Sequence, residues 1–136
     1  MRIKLESVSV GDQQHALKFD TEILGFRLKQ DIPMGDVSFL TVVSPEDPNG
    51  TELMLEPNAD YPALKALRES LVKDGIPFTA FEVDDVEAEI ARLKGKGVKF
   101  TSAPTDMGTS ITAIFDDTCG NLIMIYEVKA DGQSAD

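Results

Sequence analysis

The chain has 136 residues, the length of one compact domain, and a formal net charge of −11. Its hydrophobic content of 42% is ordinary for a globular protein. We find no apolar run near the roughly 18 residues of a membrane span and no signal-peptide pattern, so we expect no membrane partner. The acidic excess argues against a nucleic-acid partner. It either favours a basic ligand or serves solubility.

The first half of the chain predicts a strand, a helix and further strands. Apolar and polar residues alternate over Ile3–Val10, which indicates a strand. Asp12 can cap a helix that stops near Gly25. The β-branched and aromatic residues of Val37–Ser44 predict a strand, and Thr51–Glu56 predicts the next one.

Two turns carry the same pattern in the two halves of the chain. An aspartate in a turn is followed by a glycine and then by a methionine within an apolar run, which predicts a hairpin turn that enters a strand. The matching pairs are Asp47 with Asp117, Gly50 with Gly120, and Met54 with Met124. The repetition suggests that a whole structural unit occurs twice.

The second half repeats the order of elements after a connecting helix near residues 62–73. Asp60 can cap that helix and Pro62 suits its first turn. Its apolar stripe consists of Leu64, Leu67 and Leu71. Asp84 with Glu87 matches a capping box for a further helix, which stops at Gly95 and Gly97. The predicted strands are Phe78–Val83, Val98–Thr101, Ser110–Phe115 and Asn121–Val128.

These patterns predict an α+β fold made of two units, each a strand, a helix and about three strands. We expect a single domain over residues 1–128, with module 1 at about 1–57, the connecting helix at about 58–75 and module 2 at about 76–128. Residues 129–136 are small and polar and predict a flexible tail. Cys119 is the only cysteine, which excludes an internal disulfide and suggests a cytoplasmic location. It follows two acidic residues with no histidine nearby in sequence, which argues against a nucleophile.

Three stretches of this doubled unit resemble the vicinal oxygen chelate superfamily, which includes glyoxalase I, extradiol dioxygenases and bleomycin-resistance proteins. The stretches are Ala16–Phe26, Ala80–Asp85 and Phe115–Asn121. Where the family usually has tyrosine, the first stretch has Asp20. The resemblance implies two βαβββ modules whose cupped mixed sheets enclose a pocket, with helices on the convex faces. It also implies a homodimer.

Enzymes of that superfamily hold a divalent metal with side chains from the first and last strands of each module. Aligning the motifs places these positions at Leu5, Met54, Phe78 and Met124. None of the four offers oxygen or nitrogen, and thioether sulfur suits these metals poorly. The only histidine, His15, lies in the first helix. We therefore expect neither a metal nor another cofactor.

Strand alternation extends this assignment to the remaining residues of the pocket. If Met54 faces inward, Glu52 and Glu56 do so too, and an inward Met124 brings Leu122 and Tyr126 with it. The predicted lining residues are Leu5, Ser7, Glu52, Met54, Glu56, Phe78, Glu82, Leu122, Met124 and Tyr126. The methionines are alternatively core residues and the acids solvated ones, and no catalytic residue is assigned.

Three functions remain open. The first is a metal-free small-molecule-binding protein, similar to the bleomycin-resistance branch, whose ligand is partly apolar and neutral or cationic. The second is a metal-dependent lyase, isomerase or dioxygenase with a displaced ligand set. The third is a structural or partner-binding module whose cup is filled by its own side chains.

Overall fold

The computed structural model describes residues 1–130 and has the predicted α+β class. These residues form two four-stranded mixed sheets and three α-helices. Two compact units are present. Unit 1 comprises residues 1–69 and 118–120, and unit 2 comprises residues 70–117 and those from Asn121 onward. From residue 131, the predicted flexible tail lies outside the described residues.

Each sheet belongs to one unit, and the two sheets share one topology. Sheet 1 contains β1 (Leu5–Ser9), β2 (Arg27–Met34), β3 (Val37–Val43) and β4 (Glu52–Glu56), in the order β1-β4-β3-β2. Sheet 2 contains β5 (Thr79–Glu82), β6 (Thr105–Asp106), β7 (Ser110–Asp116) and β8 (Leu122–Val128), in the order β5-β8-β7-β6. The helices are α1 (Gln13–Lys18), α2 (Pro62–Lys73) and α3 (Val86–Gly95), and a π-helical turn, Phe19–Ile23, continues α1. In each sheet the first strand pairs in parallel with the last and the other pairs are antiparallel, which confirms the repeated unit.

The two predicted hairpin turns are confirmed and join antiparallel strands. Between β3 and β4, the Gly50 amide donates to the Asp47 carbonyl at 3.0 Å. Between β7 and β8, Gly120 has a φ of +90°, a backbone conformation that favours glycine. The buried Asp117 carboxylate accepts from the Asn121 amide at 3.0 Å and so closes this second turn.

One face of each sheet is covered by a helix of its own unit. In unit 1, the Gln13 side chain of α1 donates to the carbonyls of Ser38 and Leu55 at 2.8 and 2.9 Å. The buried apolar residues beneath α1 are Val8, Leu40, Val42 and Leu55. In unit 2, α3 packs on β7 and β8, and the buried residues there include Ala113, Phe115, Ile123 and Ile125. These aliphatic layers fix which face of each strand is turned away from its helix.

Sheet formation differs from the sequence prediction in two places. No strand is predicted over the residues of β2, where Pro33 is a residue that rarely occurs inside a sheet. Proline is tolerated there since β2 is the edge strand of sheet 1. The strand predicted at Val98–Thr101 is reduced to an isolated bridge between Phe100 and Phe115. The short β6 is instead the fourth strand of sheet 2.

The helix boundaries are close to those predicted, with one error in capping. Asp12 caps α1 by accepting from the amides of Gln14 and His15, each at 3.0 Å. In α3, however, the cap is Asp85 and not Asp84. The Asp85 carboxylate accepts from the Ala88 amide at 3.0 Å. The predicted capping box is therefore wrong, because the third residue after Asp85 is Ala88, whose side chain has no hydrogen-bond acceptor.

The neighbouring aspartates give a matched test of this correction. We expect Asp85→Ala to lower the free energy of unfolding by about 1 kcal/mol, because an amide of the first turn loses its acceptor. Asp84 is exposed like Asp85, so Asp84→Ala removes the same charge without removing the cap. We expect it to change the free energy by less than about 0.5 kcal/mol. Urea unfolding measures both values, and equal losses in the two variants would contradict the assignment of Asp85.

Candidate functional site

The five lining residues predicted in module 1 lie together on one face of sheet 1. Paired strand residues share a face, and the pairs are Leu5 with Glu52, Ser7 with Met54, Ser9 with Glu56, and Thr41 with both Met54 and Gln30. We call this surface the Met54 face. The alternate residues, including Leu55, lie on the side covered by α1, so the predicted alternation of β4 is confirmed.

The other five predicted residues lie on the corresponding face of sheet 2. Phe78, just before β5, donates its amide to the Leu122 carbonyl at 2.8 Å. Further along, Ala80 pairs with Met124, which pairs with Ile114. Glu82 pairs with Tyr126, which pairs with Thr112. We call this surface the Met124 face. Leu122 is buried, Met124 and Tyr126 are half-buried, and Glu82 is exposed.

The side chains on these faces do not fit the divalent metal that the resemblance implies. The expected ligand positions carry Leu5, Met54, Phe78 and Met124, which lack nitrogen or oxygen donors. Among residues 1–130, no three or more His, Cys, Asp or Glu side chains are grouped so as to hold a metal ion. His15 is exposed on α1, and its Nε2 lies 2.9 Å from the Thr118 hydroxyl. We therefore derive no chemistry that passes through a metal.

A hydrogen-bonded carboxylate lies on the Met54 face at the first residue of β4. Glu52 Oε1 accepts from the Gln30 side-chain amide at 2.6 Å and from the Thr41 hydroxyl at 2.7 Å. These two hydrogen bonds are the main cause of a lowered pKa for Glu52. Burial partly opposes them, and the positive charges of Lys29 and Lys4 lower the pKa by smaller amounts. Thr41 has no exposed surface, so its hydroxyl has a fixed environment. Glu52 is thus held ionised in one orientation.

The sequence reasoning identified Glu52 but missed both of its donors. Gln30 lies on β2, which was not predicted, and its partner on β3 depends on a one-residue register shift between Leu28 and Gln30. Two steps along β2 there match one step along β3, so Gln30 and not Lys29 lies opposite Thr41. A hydroxyl within the otherwise apolar run Leu40–Val43 was the available signal for Thr41.

The remaining candidates have more ordinary surroundings. Glu56 is half-buried, and no described residue donates a hydrogen bond to its carboxylate or to that of Glu82. Cys119 is half-buried in the β7–β8 turn. Its backbone carbonyl accepts from the Arg68 guanidinium, a contact that helps to hold this turn.

The lowered pKa of Glu52 predicts how stability depends on pH. Because the folded-state pKa lies below the ordinary 4.5, the ionised carboxylate contributes stability above pH 4.5, and this contribution is lost as the pH falls through the folded-state value. We expect the loss of unfolding free energy in Glu52→Gln to be largest at neutral pH and to shrink in acid. The control is Glu6→Gln, which removes the same charge from the other face of β1. A pH-independent loss in Glu52→Gln would contradict the prediction, as would an NMR titration midpoint at or above 4.5 for Glu52.

Comparison with known proteins agrees with this architecture. The family model described as the glyoxalase/bleomycin resistance protein/dioxygenase superfamily matches residues 3–125. The uncharacterized protein YurT of Bacillus subtilis (strain 168) is 51% identical over 127 residues, which cover 93% of this chain and 99% of YurT.

Among the described residues, no helix is long and apolar enough to cross a membrane.

Two solved structures of similar size share the fold. UcmS2 is 28% identical with a TM-score of 0.77, over 93% of this chain and 98% of UcmS2. TnmS3, described as an antibiotic binding protein from Streptomyces sp. CB03234, is 28% identical with a TM-score of 0.73, over 95% of this chain and 97% of TnmS3. Since the family model covers most of the chain, this protein belongs to the glyoxalase/bleomycin resistance protein/dioxygenase superfamily.

Proposed function

We propose that this protein binds a small organic molecule without a metal and sequesters it without chemical change. The observation that carries the proposal is the chemistry of the two faces. Where a metal enzyme of the family would have nitrogen or oxygen ligands, the chain has Leu5, Met54, Phe78 and Met124. On the Met54 face, Glu52 pairs with Leu5 and provides a positioned, hydrogen-bonded carboxylate.

The composition of the two faces supports an organic ligand that is partly apolar. Ligand sites are mostly apolar surfaces with a few placed polar groups. The Met124 face is mainly apolar. Burial of apolar surface contributes about 25 cal/mol per Å², before the costs of ordering. Met54 and Met124 are half-buried, and methionine adapts to irregular shapes. The net charge of −11 favours neutral or cationic ligands over anions.

The similarity to TnmS3 supports the same class of ligand. That protein is described as antibiotic-binding, and the chains align over nearly their full lengths. An organic molecule of antibiotic size is therefore the ligand class that we propose for this chain. The proposed location is the cytoplasm, which agrees with a single cysteine, since one cysteine cannot form a disulfide within the chain.

The metal-free part of the proposal predicts the result of a direct measurement. After dialysis against Ni, Zn, Mn or Fe(II), we expect elemental analysis to find no stoichiometric metal, because the faces lack a suitable donor set. We also expect EDTA to leave unchanged the Kd of any antibiotic found by calorimetry with a panel of partly apolar compounds. One bound metal per chain that is lost in Glu52→Gln or Glu56→Gln would instead favour the metal-dependent enzyme. Failure of the entire panel to bind would favour the structural module.

We further propose that the protein is a homodimer. β2 is an edge strand, and an uncovered edge invites pairing with another chain. Four large apolar residues of β2 and β3 are exposed in the single chain, namely Leu28, Ile32, Met34 and Val37. We expect light scattering to give twice the 14.8 kDa mass of one chain. Ile32→Lys should shift the mass toward that of a monomer, whereas Asp84→Ala should not. A monomeric mass at high protein concentration would contradict the proposal.

A further inference from the structure

We propose that Glu52 is the ligand's charge anchor, that it takes an ammonium or guanidinium group, and that Gln30 and Thr41 are its positioning residues. This inference rests on the proposed function and makes it more specific, because it selects a cationic ligand and one of three candidate acids.

Only one oxygen of the Glu52 carboxylate accepts hydrogen bonds from the protein, which leaves the other oxygen to accept from a ligand. Oε1 accepts both hydrogen bonds, from Gln30 at 2.6 Å and from Thr41 at 2.7 Å. No described residue donates to Oε2. A carboxylate oxygen can accept more than one hydrogen bond, and charge-assisted bonds are about twice as strong as neutral ones. The side chain is therefore oriented before a ligand arrives, which lowers the entropy cost of binding.

The charge of Glu52 is not neutralised by an ion pair with any described residue. The two lysines whose charges act on Glu52 are held by backbone carbonyls of the β3–β4 turn. Lys4 Nζ donates to the Asn49 carbonyl at 2.6 Å, and Lys29 Nζ donates to the Pro48 carbonyl at 3.2 Å. They help to keep the carboxylate ionised without occupying it. A ligand cation would supply the missing counter-charge.

The other two acids lack this support. No described side chain or amide donates to the carboxylate of Glu56 or of Glu82, and Glu82 is exposed. Each of these two carboxylates would lose side-chain freedom on binding a ligand, which weakens binding. Of the predicted acids, only Glu52 is already fixed in position.

Module 2 is an internal reference for the same backbone positions. Two residues before Met124, where module 1 has Glu52, module 2 has Leu122. The partner of Met124 on the neighbouring strand is Ile114, where module 1 has Thr41 as the partner of Met54. The same sheet topology therefore forms in module 2 with two aliphatic residues, Leu122 and Ile114, at the positions of Glu52 and Thr41. The polar pair of module 1 is not required by the fold, which favours a role in binding.

The experiment compares three probes of the same shape and different charge. These are 2-naphthylmethylamine, 2-naphthalenemethanol and 2-naphthoic acid, with Kd measured by calorimetry at neutral pH and about 0.15 M salt, which screens distant charges. We expect the amine to bind about tenfold more tightly than the alcohol, because its ammonium group forms a charge-assisted hydrogen bond with the carboxylate. The acid should bind most weakly.

Variants separate the anchor from general surface charge. Glu52→Gln should weaken amine binding about tenfold and leave alcohol binding unchanged. Glu6→Gln, which removes the same charge from the other face of β1, should change neither. Thr41→Val should weaken amine binding and raise the NMR titration midpoint of Glu52, and Thr41→Ser should restore both. If the buried Thr41→Val does not fold, Gln30→Met at the edge strand makes the same test.

The outcomes are distinguishable. Equal binding of amine and alcohol overturns the charge anchor and leaves the proposed binding function intact. Equal effects of Glu52→Gln and Glu6→Gln on amine binding also overturn the charge anchor, since the preference for the amine would then come from the net charge of the protein. Failure of all three probes to bind overturns the inference, whereas the proposed function is overturned only if the antibiotic panel described above also fails to bind.

Discussion

The register of the two central strands is the constraint on which the rest of the structure depends. β4 and β8 each have a parallel neighbour on one side and an antiparallel neighbour on the other. A slip of one residue in β4 would turn Met54 toward α1 and bring the fully buried Leu55 to the opposite face. In β8 the same slip would expose Ile125. The aliphatic layer under each helix opposes such a slip, and so it also fixes the orientation of the side chains on the Met54 and Met124 faces.

Much of this register could be predicted because it depends on local sequence. The two Asp-and-Gly turns set where β4 and β8 begin, and alternation from Met54 and Met124 then assigns the faces. Helix ends were predictable for the same reason, since Gly25 and Gly97 adopt the positive φ that ends a helix. The repeat strengthened each of these inferences, because one unit served as a check on the other.

Features that depend on pairing between distant strands could not be predicted. β2 contains a proline that is acceptable only at a sheet edge, and edge position is not evident in the sequence. The contacts of Gln30 and Thr41 with Glu52 require both the strand order and the register shift. The choice between Asp84 and Asp85 as a cap depends on where the chain leaves β5. In each case the deciding information is a tertiary contact.

The register shift in β2 has a consequence for how this surface can diversify. With regular pairing from Leu28 onward, Lys29 would lie opposite Thr41 and could neutralise Glu52 from within the chain. The extra residue presents an amide there instead and leaves the carboxylate charged. Because β2 has a neighbour on one side only, a gain or loss of one residue in it alters no pairing between the inner strands. Insertions and deletions in this edge strand can therefore switch the charge of the surface, a change that elsewhere in the sheet would require altering the core.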